Sequence, residues 1–286
     1  MSTVFIVGAF GVSSGIVRLR RRSEMVATYY KLARPDGFDF FTGETINYRE
    51  NIGKSVMCPN GDKALGVCSA GVIHASVKPN DCFVGARIPC SAYLVSGKPV
   101  CGDEQKHGFL KLQVLHEITD LDSLFGWKYT EACNPINPLK GRPEKVNQEQ
   151  INSLHVWASL WASVWPSLWA SVGGSVRQKV WPSVMGSVRA SLGQKVWPSV
   201  MASVRASVRQ KVWPSVRASV WASVGAYVGS LFPKVGTWKY INHAEGEYPF
   251  QAAVDLWRAG FVPSYDYKTW RLHSGKNASV VYEEQL

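Results

Sequence analysis

"VWPSVMGSVRASLGQKVWPSVMASVRASVRQKVWPSV", residues 180–216, spells nearly the same sixteen letters twice and then starts again. It belongs to a longer run. From Val156 to Val228 every fourth residue is Val or Leu, nineteen positions in all. The residue before each is usually Ser, and the one before that is Ala, Gly, Pro or Gln. The unit reads small-Ser-Val-x, with x being Trp, Arg, Met or Gly. A helix meets three objections here. At 100° per residue, a four-residue step drifts about 40° per unit, so the Val stripe winds around the rod. Val, Ser, Trp and Gly are poor helix formers. Pro166, Pro182, Pro198 and Pro214 break a continuous helix every sixteen residues. A strand meets none of these. Residues two apart share a face, so the small residue and the Val point inward while Ser and x point outward.

Trp165, Trp181, Trp197 and Trp213 recur at the sixteen-residue period, as do Lys179, Lys195 and Lys211. One coil of four short sides per sixteen residues accounts for both periods. Coils stacked at the ~4.8 Å strand spacing place like residues above like. The expected fold is therefore mainly β: a short four-sided β-solenoid of 16-residue coils between a β-rich N-terminal domain and a small α/β C-terminal cap. The pattern resembles the pentapeptide-repeat β-helix, with a unit one residue shorter. Recent duplication alone also makes copies alike. The Val step nevertheless persists where the copies have diverged, as in "VWASLWASVWPSLWAS", which argues for a packed interior.

The chain has 286 residues, twelve Trp and a formal net charge of +11. Between Gln150 and Ala244 there is no Asp or Glu but ten Lys and Arg. Such a segment suits a polyanion such as nucleic acid, or a protein partner. The plainer reading is that the charge keeps a Trp-rich surface soluble. Stacked coils would set Trp165, Trp181, Trp197 and Trp213 in outward ladders beside Arg177, Arg189, Arg205, Arg209, Arg217, Lys179, Lys195 and Lys211, and these are the candidate binding residues. Ice-binding solenoids resemble flat Thr arrays, and no Thr lies between Ile151 and Gly236. DNA-mimicking pentapeptide proteins are acidic, and this coil is basic.

The expected organisation is a leader over 1–24, a β-rich domain over 25–120, a Pro-rich linker over 121–153, the solenoid over 154–230 and the cap over 231–286. The leader's apolar run precedes its "RLRRR", the reverse of a secretory signal. It is too short to span a bilayer comfortably, and Met25 is the expected start of the folded chain. "ATYYKLA", "CSAGVIHAS" and "LKLQVLHEI" read as strands, and "PFQAAVDLWRAG" reads as a helix ending at Gly260. The six Cys make no C-x-x-C pair, so a zinc ribbon is not expected and free thiols are the default.

Three stretches carry a family resemblance: "YYKLARPDGFDFFTGETINYRENIGKSV", "CSAGVIHAS" and "YPFQAAVDLWRAGFVPSYDYKTWRLHSG". They resemble an uncharacterised family of phage and environmental sequences with a Ser-Val-x-x repeat at its centre. The resemblance implies a mobile-element origin and no established activity. Separately, "CSAGVIHA" resembles a strand of ADP-ribosyltransferase-like domains. That resemblance implies His74 and Glu117 as catalytic candidates, Arg34 or Tyr48 as helpers, and NAD as the cofactor. The leading expectation is a non-enzymatic binding or structural protein of a phage or its host, cytoplasmic or virion-associated, with no cofactor. The alternative is the ADP-ribosyltransferase-like enzyme with the coil as a targeting arm.

Overall fold

Alternation of apolar and polar residues builds the N-terminal strands. In "KLQVLHEI", Leu112 and Val114 are buried while Lys111 and Gln113 face out. The structure is a computed structural model and describes residues 27–61, 66, 69–142, 144–164, 167–179 and 182–286. The expected leader lies outside them, as do Cys68, Trp165, Pro166 and Trp181. The strands are β1 (Thr28–Ala33), β2 (Ser55–Met57), β3 (Ile73–Ala75), β4 (Ser91–Ser96), β5 (Cys101–Gly102), β6 (His107–Phe109) and β7 (Lys111–Ile118). They form two antiparallel sheets, ordered β1-β4-β7-β2 and β3-β6-β5. A single bridge, Tyr30 to Ser76, joins the sheets.

Residues 121–133 carry two short helices, α1 (Leu121–Phe125) and α2 (Tyr129–Cys133). Asp120 caps α1 by accepting from the Ser123 amide, and Gly126 ends it at φ 72°. Phe125, Trp127 and Tyr129 join the main core.

The repeat is helical, and this overturns the four-sided β-solenoid and its mainly-β fold class. It folds as α3 (Gln148–Val164), α4 (Leu168–Lys179), α5 (Pro182–Lys195), α6 (Trp197–Ser207) and α7 (Trp213–Ser230). Each objection to a helix has a physical answer. The 40° drift accumulates only along an unbroken helix. These helices hold two to four Val or Leu positions of the repeat, at most three steps, so the stripe never winds around the rod; Val156 of α3 is exposed and α7 is buried on nearly every side. Val184, Val188 and Leu192 of α5, and Val200 and Val204 of α6, are all buried. The prolines start helices rather than break them. Pro182 opens α5, while Pro198 and Pro214 lie in the first turns of α6 and α7, where a missing N–H costs no hydrogen bond.

The serines are answered by local bonding. In a helix, Ser sits three residues after the preceding Val or Leu of the repeat, and its hydroxyl donates to that residue's carbonyl. Ser159 to Val156, Ser163 to Leu160, Ser199 to Val196, Ser207 to Val204, Ser219 to Val216 and Ser223 to Val220 all do so at 2.8–2.9 Å. A Ser satisfied within its own helix can be buried, and Ser219 and Ser223 are; buried Ser191 donates instead to the Ala132 carbonyl of α2 at 2.8 Å. The strand reading placed these residues outside.

The C-terminal unit holds α8 (Gln251–Arg258) and the antiparallel sheet β10-β9-β8, made of β8 (Phe261–Tyr265), β9 (Trp270–Ser274) and β10 (Ser279–Glu284). There is no solenoid end for it to cap. It packs around α7 instead, with Tyr227 stacked on Trp257 at 5.7 Å. Among the described residues no helix is long and apolar enough to cross a membrane.

Candidate functional site

The chain reverses between α6 and α7 through a 3₁₀ turn at Gln210–Val212. Trp197 at the start of α6 meets Trp221 of α7, and Arg205 near the end of α6 meets Trp213 at the start of α7. This is the pairing of an antiparallel α-hairpin. Between the two helices lies an open groove of about 710 Å³. Its walls include Trp197, Met201, Arg205, Gln210, Trp213 and Arg217.

The aromatic surface continues beyond the groove. Trp197 packs edge-on to Trp221, with centroids 4.3 Å apart at 69°. Trp169 also packs on Trp221, with centroids 4.8 Å apart. The Arg189 guanidinium sits over Trp169 at 4.6 Å, and that of Arg205 lies 5.8 Å from Trp213. Among the described residues, no carboxylate forms an ion pair with Arg205, Arg209, Lys211 or Arg217. The surface therefore keeps its positive charge.

The candidate binding residues divide. Trp197, Trp213, Arg205 and Arg217 come together in the groove. Arg209 and Lys211 are exposed on the turn beside it. Arg189 lies along the same aromatic run, over Trp169. Lys195 turns the other way and donates to the Cys133 carbonyl. Trp165 and Trp181 lie outside the described residues, as do the side chains of Arg177 and Lys179. The ladders expected from stacked coils are replaced by a hairpin groove. Trp169 and Trp221 were absent from the candidate set because they lie off the sixteen-residue Trp-Pro step. Only a helical reading brings Trp221 beside Trp197 and Trp169 beside Trp221.

The catalytic candidates do not share a site. His74 on β3 lines a separate cavity of about 300 Å³ with Lys31, Asp39 and Lys106. Glu117 sits on β7 in the other sheet, where Arg49 donates to it from Nε at 3.1 Å and Nη2 at 2.8 Å. Hydrogen bonding from Arg49 holds the Glu117 carboxyl below its ordinary pKa despite partial burial. Glu117 is not among the residues lining the His74 cavity. Of the helpers, Arg34 pairs with Asp36, and Tyr48 is buried within hydrogen-bonding reach of Asp39 at 3.5 Å. His74 and Glu117 thus stand on different sheets.

Among the described residues no cluster of His, Cys, Asp or Glu is placed to hold a metal ion. Cys58, Cys82, Cys90, Cys101 and Cys133 are free thiols. Burial pushes the Cys82 thiol up to about 11 and the Cys90 thiol up to about 12, so neither is an activated nucleophile. Comparison with protein-family models, curated proteins and solved structures finds no match to this chain.

Proposed function

We infer that the protein is a non-enzymatic binding protein whose α6–α7 groove takes single-stranded nucleic acid. One observation supports this above the others: two Trp rings and two arginines line one open groove in a segment without acidic residues. Trp faces stack on bases whatever their identity, and guanidinium groups follow a phosphate backbone. Arg189, Arg209 and Lys211 extend the positive surface beyond the groove, so a strand several nucleotides long meets cations on both sides. A phage or host setting rests on the sequence resemblance alone. The enzymatic alternative lacks comparable support, because Glu117 is not among the described residues lining the cavity that holds His74.

Titration of the full chain with a fluorescent oligonucleotide at low salt tests the reading. Binding is expected, with quenching of Trp emission. Trp213→Ser is expected to weaken it about tenfold or more, in line with ~1–3 kcal/mol per stacked base. No binding to single-stranded DNA or RNA at low salt overturns the reading and points to a protein partner.

A further inference from the structure

The cavity beneath Phe41 is built differently from the groove. After the single bridge between Tyr30 and Ser76, β1 and β3 do not continue as a ladder. The next residues on either side, Lys31 and Ala75, line a cavity of about 300 Å³. Leu32, Phe40, Phe41, Val84 and Ala86 give it an apolar wall, and Lys106 stands in the same lining.

Lys31 and Asp39 make a largely buried ion pair at 2.6 Å. The Asp39 carboxylate is fully engaged. Oδ1 accepts from the Phe41 amide at 2.8 Å and the Thr42 amide at 3.2 Å. Oδ2 takes Lys31 and lies within reach of the Tyr48 hydroxyl. Asp39 is therefore a brace for the Phe41 loop and has no capacity left as a base. Lys31 is not used up in the same way. An ammonium has three N–H donors, and among the described residues Asp39 is the one carboxylate paired with it. Its charge also rests near the Tyr48 ring, 5.3 Å from the centroid. The Tyr48 hydroxyl is a second hydrogen-bond partner of Lys31, so Asp39 and Tyr48 set two partners against three donors on a buried cation in the cavity lining. Phe41 is 84% exposed beside the cavity, a large apolar side chain held outward by the Asp39 turn.

We propose that this cavity binds a small organic anion, a carboxylate or phosphate on a compact aromatic body. The anionic oxygen meets Lys31 and Lys106, and the ring lies against Phe40 and Phe41. The volume is at the small end for ligand clefts and suits about one ring with its charged head. The inference is independent of the groove and does not need nucleic acid.

Titration of the full chain with phenyl phosphate and benzoate, followed by amide NMR shifts at Ser76, Gly85 and Ala86, tests it. Saturable shifts are expected with both anions, and none with benzylamine. Lys31→Met is expected to weaken binding tenfold or more, and Lys106→Gln several-fold. Lys31→Met leaves Asp39 buried without its counter-charge, and that variant can fail to fold. Lys106 is in no ion pair among the described residues, so Lys106→Gln then decides alone. Absence of saturable shifts, equal shifts with benzylamine, or unchanged affinity in the variant that folds overturns the proposal.

Discussion

Ser219 carries two bonds at once. Its hydroxyl donates to the Val216 carbonyl at 2.9 Å and accepts from the Tyr265 amide at 2.8 Å. It therefore ties α7 to β8. Ser219→Ala removes the acceptor and leaves a partly buried amide unmet, at a cost of about 1 kcal/mol or more. Ser163 makes the same bond within its helix but is exposed. Ser163→Ala is expected to be neutral or slightly stabilising, because Ala is the better helix former. Urea melts of the two variants check the contrast. His273 gives a pH dependence. It is fully buried; Nδ1 donates to the Ala278 carbonyl at 3.0 Å, and Nε2 accepts from Ser264 at 2.7 Å. Burial lowers its pKa from 6.5 to about 4; the Ala278 bond opposes that shift and Arg271 adds to it. The unfolded chain then binds the proton first as pH falls. Stability is complete above about pH 6.5 and declines toward pH 4, by roughly 3 kcal/mol in all from this group. His273→Asn is expected to be less stable at pH 7 and to lose much of that decline in melts at pH 7 and pH 4.5.

A period of four divides evenly into strands and poorly into helices, and the sequence reading followed that arithmetic. It treated the sixteen-residue Pro as a helix breaker. Pro in the first turn of a helix is equally regular, and the structure uses it so in α6 and α7. What separates the two readings is the partner of each Ser hydroxyl, and nothing in the spacing of letters reports that. Where alternation or a 3.6-residue period ran without interruption, the reading was legible. "LKLQVLHEI" contains β7, "ATYYKLA" contains β1, and "PFQAAVDLWRAG" contains α8 with Gly260 just beyond it at φ 86°. Proline substitution separates the two folds for the repeat. Ala222 lies buried in the interior of α7. Ala222→Pro is expected to cost about 3 kcal/mol or more. Pro198→Ala, in the first turn of α6, is expected to cost under about 1 kcal/mol. Circular dichroism with thermal melts reads both, and equal losses contradict the helical assignment.

The N-terminal sheets keep a cluster of their own around Tyr48, Tyr93, Phe109 and Leu112. A second cluster of buried residues touches all three parts expected from the sequence, running from Leu32 and Phe83 through Trp127, Leu154 and Val200 to Trp257 and Leu272. Long-range bonds stitch it: Ile136 donates its amide to the Tyr227 hydroxyl at 3.0 Å, and Trp257 donates to the Ile136 carbonyl at 3.0 Å. Residues 121–153, read as a linker from "NPINPLKGRPEK", contribute Trp127, Tyr129 and Leu139 to this core. The composition of a loop says little about whether the chain is pinned along it. The charge asymmetry was legible at this level, because counting letters needs no fold, and so were Trp197, Trp213, Arg205 and Arg217. Their convergence in one groove was not, since it depends on the α-hairpin. The dependence of affinity for a single-stranded oligonucleotide on salt tests that convergence most directly. Log affinity is expected to fall linearly with log salt, and Arg205→Ser with Arg217→Ser is expected to flatten the slope by roughly 1–2, since each phosphate contact contributes about 0.7 on a single strand. Trp197→Ser is expected to weaken binding at every salt concentration with the slope unchanged. A slope that the double Arg variant leaves untouched would contradict the groove as the site of binding.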